Sequence, residues 1–180
     1  MNRRMIFALL IWIVAARPAF AQAQLKMDNL DRLASAAAEV VNVTIDEQLL
    51  QLASKFLSAT RSADERDIKE LVRDLKGVYV KRFEFDRDNG YTQSDIDPLL
   101  KQLHAPAWAR IVGVTSTREL KNIEVFMMTE GSLIKGIAVV AAQPRELTVV
   151  NVVGPIDIDK LSRLQGQFGI PQLDLGSKPK

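Results

Sequence analysis

The sequence predicts one α+β domain, in which several helices pack on an antiparallel sheet of about five to six strands. The first observation is a run of three β-rich segments between Ile123 and Val153, divided by two tight-turn sequences. The second is a set of segments with the period of amphipathic helices, which lie before and after β-rich stretches rather than alternating with them regularly. The third is length: without its first 21 residues the chain has 159 of its 180 residues, which suits a single core.

The N-terminal segment, residues 1–21, has the composition of a cleavable signal peptide. Arg3 and Arg4 precede an apolar run of 12 residues from Met5 to Ala16. As a helix this run would rise about 18 Å, which is less than the bilayer's hydrocarbon core of about 30 Å. The segment therefore predicts export rather than a membrane span.

Small residues place the predicted cleavage site. Ala19 and Ala21 have the spacing that signal peptidase accepts, so we predict cleavage between Ala21 and Gln22. The bond after Ala23 is an overlapping second choice. We expect the domain to occupy residues 22–172, followed by a flexible tail over residues 173–180.

The charge balance and the lack of cysteine limit the partners that we expect. Removal of Arg3, Arg4 and Arg17 with the signal changes the formal net charge from +2 to −1, so no basic surface for nucleic acid is expected. The absence of cysteine excludes disulfides and an acylated N-terminal cysteine. We therefore expect a periplasmic protein with no stable membrane anchor after cleavage.

Three helices and a strand are predicted in the first half of the domain. An Ala-rich helix is expected over Asp28–Glu39, because its apolar residues recur with the period of one helix face. Alternation predicts a strand over Val41–Ile45, and Asp46 then caps a second helix. A third helix is expected from a capping box at Ser62 to Leu75.

The next predicted strand, Val78–Phe85, has apolar residues of changing parity. Val78 and Val80 would lie on one side, and Tyr79 and Phe83 on the other. We expect a bulge near Lys81 and Arg82 to reconcile them.

A loop over Asp86–Gly90 separates this strand from a short helix. Ser94 is the expected N-cap of that helix, which runs through Leu103. Trp108–Val114 is predicted as another strand.

The C-terminal meander has apolar residues at both parities of its strands. Gly131 and Pro144 supply the turn chemistry, and Gly154-Pro155 is expected to end the last strand before a helix capped by Asp157. Because both sheet faces need cover, we expect helices on one face and further protein, such as a partner subunit, on the other.

An acidic loop is the best candidate for a chemical site. Hard oxygen ligands for Ca²⁺ are available at alternating positions, namely Glu84, Asp86, Asp88, Asn89 and Asp95. The pattern departs from a calcium loop, because Asn89 stands where glycine is needed and Asp95 where the longer glutamate is needed. The same residues are also typical of a solvated turn.

Other signatures of catalysis are weak. His104 is the single histidine and has no cysteine to share a zinc site with. The sequence contains no nucleophile elbow and no phosphate-binding glycine loop. We therefore predict no cofactor and favour a protein that is not an enzyme.

Three segments of the chain together resemble a known bacterial family. They are Val41–Leu57 (VNVTIDEQLLQLASKFL), Gly77–Asp86 (GVYVKRFEFD) and Gln143–Lys160 (QPRELTVVNVVGPIDIDK). The family is the one catalogued as domain of unknown function 4252. The resemblance implies an exported envelope protein of Gram-negative bacteria without assigned activity or functional residues. Genes of some members lie near extracytoplasmic sigma factors, which implies a place in envelope-stress signalling.

The sequence thus predicts a non-enzymatic binding or protein-interaction module of the periplasm. Its partner would be an envelope protein, or a second copy bound through the sheet. Two alternatives stay open at this point. One is a metal-dependent enzyme that uses Asp86, Asp88 and Asp95, and the other is a carrier of an apolar ligand in a pocket between sheet and helices.

Overall fold

A computed structural model of the chain describes residues 23–56, 69–70, 72–118, 120–131 and 133–157. Within these residues the chain forms one antiparallel sheet of six strands with a few helices, which confirms the predicted α+β class. The predicted signal peptide, the Ser62 capping box, the helix after Asp157 and the C-terminal tail lie outside the described residues.

The six strands are β1 (Glu39–Asp46), β2 (Gly77–Glu84), β3 (Ala109–Ser116), β4 (Lys121–Glu130), β5 (Leu133–Gln143) and β6 (Glu146–Ile156). They follow the order β1-β2-β6-β5-β4-β3 across the sheet, and each neighbouring pair is antiparallel. Strands β3 to β6 form a meander, and β2 and then β1 continue the sheet beside β6.

The described helices include a 3₁₀ helix (Asp28–Ser35), α1 (Glu47–Phe56) and α2 (Gln93–Leu100). Residues 69–70 and 72–74 are also helical, and they belong to the predicted third helix.

The first helix is shorter and tighter than the sequence predicts. It is a 3₁₀ helix that ends at Ser35, not an α-helix that continues to Glu39. Its buried residues Leu30 and Leu33 are three apart, and this spacing aligns them on one side of a 3₁₀ helix. The backbone N–H of Ala38 already donates to the Glu84 carbonyl at 2.8 Å, so pairing with the sheet ends the helix.

Strand β2 does not contain the predicted bulge. Its register is continuous against both β1 and β6. Val78 and Val80 point to one side of the sheet, while Phe83 points to the other together with Lys81. The apolar residues therefore occupy both faces of a regular strand, and the buried Lys81 satisfies its amine with an ion pair to Asp31.

The meander and its turns are confirmed, although β6 is longer than expected. Gly131 has φ +60° in the β4–β5 turn. Strand β6 continues through Gly154-Pro155 to Ile156, beside a register shift in β5. Gly154 has φ +134°, and a Cβ there would meet the Lys76 backbone nitrogen at 2.7 Å. The strand can continue because only glycine fits this conformation and this close approach.

One face of the sheet, which we call the core face, is closely covered. The 3₁₀ helix, α2 and the segment between α2 and β3 pack on the aromatic and aliphatic residues of the strands. Side chains that are nearly inaccessible to solvent fill this layer, including Leu30, Phe83, Leu99, Leu147 and Val149.

A short N-terminal segment, Ala23–Met27, crosses the core face, and we call it the strap. Asn151 of β6 holds it with a fully buried side chain. The Leu25 backbone N–H donates to Asn151 Oδ1 at 2.9 Å, and Asn151 Nδ2 donates to the Ala23 carbonyl at 3.0 Å. A Cβ at Gly136 would lie 3.1 Å from the Ala23 Cβ, so the glycine makes room for the strap.

We predict that Asn151→Leu destabilises the protein by about 2 to 4 kcal/mol. Leucine fills a similar volume but leaves the buried N–H of Leu25 and the carbonyl of Ala23 without their partner. Urea denaturation monitored by circular dichroism measures the change in the free energy of unfolding. Asn42→Leu is the matched control, because Asn42 is an exposed asparagine of β1, and its cost should stay within about 0.5 kcal/mol. Equal losses in the two variants would contradict the role of Asn151.

Candidate functional site

The second face of the sheet carries a continuous row of valines. Strand pairing places one valine from each of the six strands side by side across the whole sheet. In spatial order the members of this valine row are Val43, Val80, Val150, Val139, Val125 and Val112. All of them are half-buried or exposed, so the row is accessible to solvent along its length.

A second row runs parallel to the valine row and is also mainly apolar. Its members, again one from each strand, are Val41, Arg82, Thr148, Ala141, Ile123 and Val114. We call the two rows together the open face. Val112 is 41% exposed and Val114 is 44% exposed, both on the edge strand β3.

A third row on the same side of the sheet is covered by other parts of the chain. It contains Ile45, Val78, Val152, Ile137 and Met127, and these pack against α1 and the segment that follows residue 71. Leu50 and Leu75 are the buried members of that cover. Among the described residues, this cluster covers the third row at one end of the strands, and it does not extend over the valine row.

Charged residues border the open face at the opposite end of the strands. On β1, β2 and β6, Arg82 lies among three carboxylates: Glu84 Oε2 at 2.9 Å, Glu146 Oε2 at 3.1 Å and Glu39 Oε1 at 3.5 Å. The hydrogen bond from Arg82 lowers the pKa of Glu146 against the opposing effect of burial. On β3 and β4 the same row contains Ser116 and Lys121. The border is thus polar along the sheet, and its carboxylates lie around Arg82 on β1, β2 and β6.

The predicted acidic site does not assemble into a metal centre. Asp88 Oδ1 accepts a hydrogen bond from Arg145 Nε at 2.6 Å, and Asp86 is exposed. Glu84 binds Arg82 on the open side of the sheet. Within the described part of the chain, the structure brings together no group of three or more carboxylate or histidine side chains that could hold a metal ion. Glu84 and Asp88 are thus engaged in separate ion pairs, with Arg82 and Arg145 respectively.

Asp95 has a structural role at the start of α2. Its Oδ2 accepts hydrogen bonds from the Thr92 backbone N–H and hydroxyl, each at 2.7 Å, and its Oδ1 pairs with Arg32 at 2.5 Å. Thr92, not Ser94, is therefore the N-cap, because Asp95 at the third helical position completes a capping box. Burial raises the pKa of Asp95, but the hydrogen bonds from Thr92 and the charge of Arg32 outweigh it and lower the pKa.

The remaining chemical candidate, His104, is an exposed residue after α2. It lines an open groove of about 540 Å³ together with Leu103, Pro106, Trp108 and Arg110. Met128 is buried on the core face, and Met127 packs in the covered third row. Met127 and Met128 accordingly contribute to packing around the sheet.

The sequence predicts that both faces of the sheet need to be covered, but it does not predict the valine row. The signal was present as valines at both parities in several strands. Which of them share a row depends on the register between strands that are distant in sequence, such as β2 with β6. The order of the strands, which the sequence does not give, makes the row continuous.

Comparisons with known proteins support the family resemblance. A family model described as Domain of unknown function (DUF4252) matches residues 35–164. Neither the curated proteins nor the solved structures contain a match to the chain. In the described residues, every helix is too short or too polar to cross a membrane.

We predict that Asp95→Asn costs about 1 kcal/mol of stability near neutral pH, because it weakens the capping box and the pair with Arg32. The folded-state pKa of Asp95 is lowered, so its stabilising contribution is present above the unfolded pKa of about 3.9 and is lost as the pH falls through the folded pKa. The wild type and the variant should therefore converge in acid. Urea denaturation at several pH values measures this, and Asp86→Asn in the exposed loop is the control. A difference that stays constant into strong acid would contradict the assignment.

Proposed function

We propose that this chain, which belongs to the family described as Domain of unknown function (DUF4252), is an exported, non-enzymatic interaction module that binds protein through its open face. The observation that carries the proposal is the valine row, an accessible line of six identical apolar side chains across the sheet. The border of charged residues beside it resembles the polar rim of a protein interface.

The dimensions of the open face favour a protein as ligand. Six strands at a spacing of about 4.8 Å and two rows about 7 Å apart give a mainly apolar face on the order of 400 Å². The largest apolar patch on a typical soluble monomer has about this size and is often functional. A flat face of this kind suits another flat protein surface, since small molecules bind in concave pockets that enclose most of their area.

The alternatives receive less support from the described residues. A carrier of an apolar ligand needs space between the sheet and its helices, but the core face is filled by side chains such as Phe83, Leu99 and Leu147. A metal-dependent reaction needs converging carboxylates, but Asp88 and Asp95 are committed to Arg145 and to the α2 cap.

Export to the periplasm is the second part of the proposal. It rests on the predicted signal peptide, and the strap adds support for the position of cleavage. Ala23 is fully buried and its carbonyl accepts from Asn151, so cleavage after Ala21 keeps the strap whole. Cleavage after Ala23 would remove a core residue. The family resemblance adds a place in envelope-stress signalling to this proposal.

We predict that the processed protein begins at Gln22. Mass spectrometry of the intact protein from the envelope fraction, with sequencing of its N-terminal peptide, identifies the first residue. Ala21→Leu should block processing at this bond, because the peptidase requires a small residue there. Ala23→Leu is the companion variant, and it should be processed normally but be less stable because of the buried position. A protein that begins at Gln24 would contradict the prediction.

We also predict that the open face contacts protein in the cell. A photoreactive amino acid at position 114 should give a crosslinked protein adduct in the native envelope. The same residue at position 40 should not, although Val40 is similarly exposed at 42%, because it lies on the other side of the sheet. Mass spectrometry of the adducts and of co-purifying small molecules identifies what is bound. Equal adducts at the two positions, or none at position 114, would overturn the proposed function.

A further inference from the structure

We propose that the core face contains a peptide-binding groove, in which the strap is the resident ligand and which a segment of another protein can occupy in its place. The ligand is an extended peptide that has a small residue followed by large apolar residues two and four positions later. The groove and the open face lie on opposite sides of the sheet. The inference therefore does not depend on the interaction proposed for the open face.

Two amide side chains hold the backbone of the strap. One is Asn151, which bonds the Ala23 carbonyl and the Leu25 N–H. The other is Gln102, which follows α2: the Lys26 N–H donates to Gln102 Oε1, and Gln102 Nε2 donates to the Lys26 carbonyl, each at 2.9 Å. Opposite residues of an antiparallel ladder exchange both bonds in the same way, so Lys26 has the backbone of an extended peptide.

Side chains, and not a backbone ladder, thus attach the strap to the fold. Within the described residues, the backbone of Ala23–Lys26 forms no hydrogen bond with the backbone of a strand or helix. The strap is accordingly a separate segment laid on the core face and is not a further strand of the sheet.

Alternate side chains of the strap enter the core. Ala23, Leu25 and Met27 are 0%, 4% and 6% exposed, whereas Gln24 and Lys26 between them are exposed. Hydrogen bonds to the backbone, combined with pockets for alternate side chains, are a recurring mode by which proteins recognise extended peptides. The strap therefore has the contacts of a bound peptide.

The pocket for the first of these side chains is small. A Cβ on Gly136 would lie 3.1 Å from the Ala23 Cβ and 3.0 Å from the Trp108 ring. The Gly136 backbone and Trp108 thus leave no room for a side chain longer than that of Ala23. This contact requires a small residue at the first position of the ligand.

The groove can open while the sheet stays folded. With the predicted cleavage after Ala21, only Gln22 precedes the strap, and terminal segments open at a lower free energy than core strands do. When the strap leaves, the fully buried Asn151 keeps only its bond to the Ile137 carbonyl at 3.3 Å. Its amide then favours binding of any backbone that restores the lost hydrogen bonds.

The tether makes the strap a competitor of every other ligand. A short tether gives a segment an effective concentration on the order of millimolar. A partner segment therefore has to bind more tightly than the strap does, and a change that weakens the strap should make the groove available.

A labelled synthetic peptide with the sequence of residues 22–28, QAQLKMD, tests the inference by fluorescence polarisation. The protein is the full chain in the form that the cell leaves after processing. Leu25→Asp in that chain should bind the peptide at least about tenfold more tightly than the wild type, because its own strap no longer competes. Gln24→Asp, which adds the same charge at an exposed position of the strap, is the matched control and should bind as weakly as the wild type. Circular dichroism checks that both variants are folded.

Equal binding by the two variants, or no binding by a folded Leu25→Asp chain, would overturn the inference. Changes in the peptide itself test the site. Ala23→Leu in the peptide should weaken its binding to the Leu25→Asp chain at least about tenfold, because the pocket beside Gly136 is too small. Gln24→Leu in the peptide should have no such effect, since this position faces solvent. Equal affinities of the two peptides would place the binding elsewhere and would also overturn the inference.

Two measurements on the wild type apply even if Leu25→Asp does not fold. In native-state hydrogen exchange, the Leu25 amide should exchange at least about a hundredfold faster than the Val149 amide of β6, because the strap opens without global unfolding. Exchange of both amides at the rate of global unfolding would mean that the groove stays closed, and it would overturn the inference. Sedimentation equilibrium should show no exchange of straps between copies. A dimer that Leu25→Asp converts to a monomer would assign the groove to the strap of a second copy and would overturn the partner segment.

Discussion

The register of β6 is the constraint on which both faces of the sheet depend. β6 lies between β2 and β5 and pairs with both without a slip from Glu146 to Val153. This pairing turns Leu147, Val149 and Asn151 toward the core face and sends Val150 to the open face. A shift of one residue would exchange the two sets, so that Asn151 would leave the strap and apolar residues would replace it. The burial of Asn151 and the continuity of the valine row are therefore consequences of one register.

The two faces differ because more of the described chain packs on the core face than on the opposite side of the sheet. The strap, the 3₁₀ helix and α2 all pack on the core face, where the buried amide of Asn151 ties the first described residues to β6. On the other side, α1 and the segment after residue 71 pack on the third row. The described residues thus leave an apolar surface beside a charged border, and this asymmetry is the physical basis for the proposed interaction.

The strongest chemical candidate of the sequence illustrates how local patterns can mislead. Asp86, Asp88 and Asp95 have a spacing that suggests shared ligation, but each carboxylate has its own local environment. Asp95 completes the capping box of α2 with Thr92, and Asp88 pairs with Arg145 from the turn before β6. Arg145 is 57 residues away in sequence from Asp88, so this pair was invisible to local reasoning. The capping box was readable in principle, since Thr92 and Asp95 have the required spacing.

By itself the sequence determined the class of the fold, the three-strand meander, the turn at Gly131 and the cap at Asp46, whose Oδ1 accepts from the Leu49 backbone N–H at 2.9 Å. These features depend on residues that are near each other in the chain. It also predicted that both faces of the sheet need cover. The tertiary structure decided the order of the strands, the straight register of β2, the path of the strap over Asn151 and the alignment of six valines in one row. Each of these depends on pairing between segments that are distant in the chain, and alternation along one strand fixes its two faces but not its neighbours.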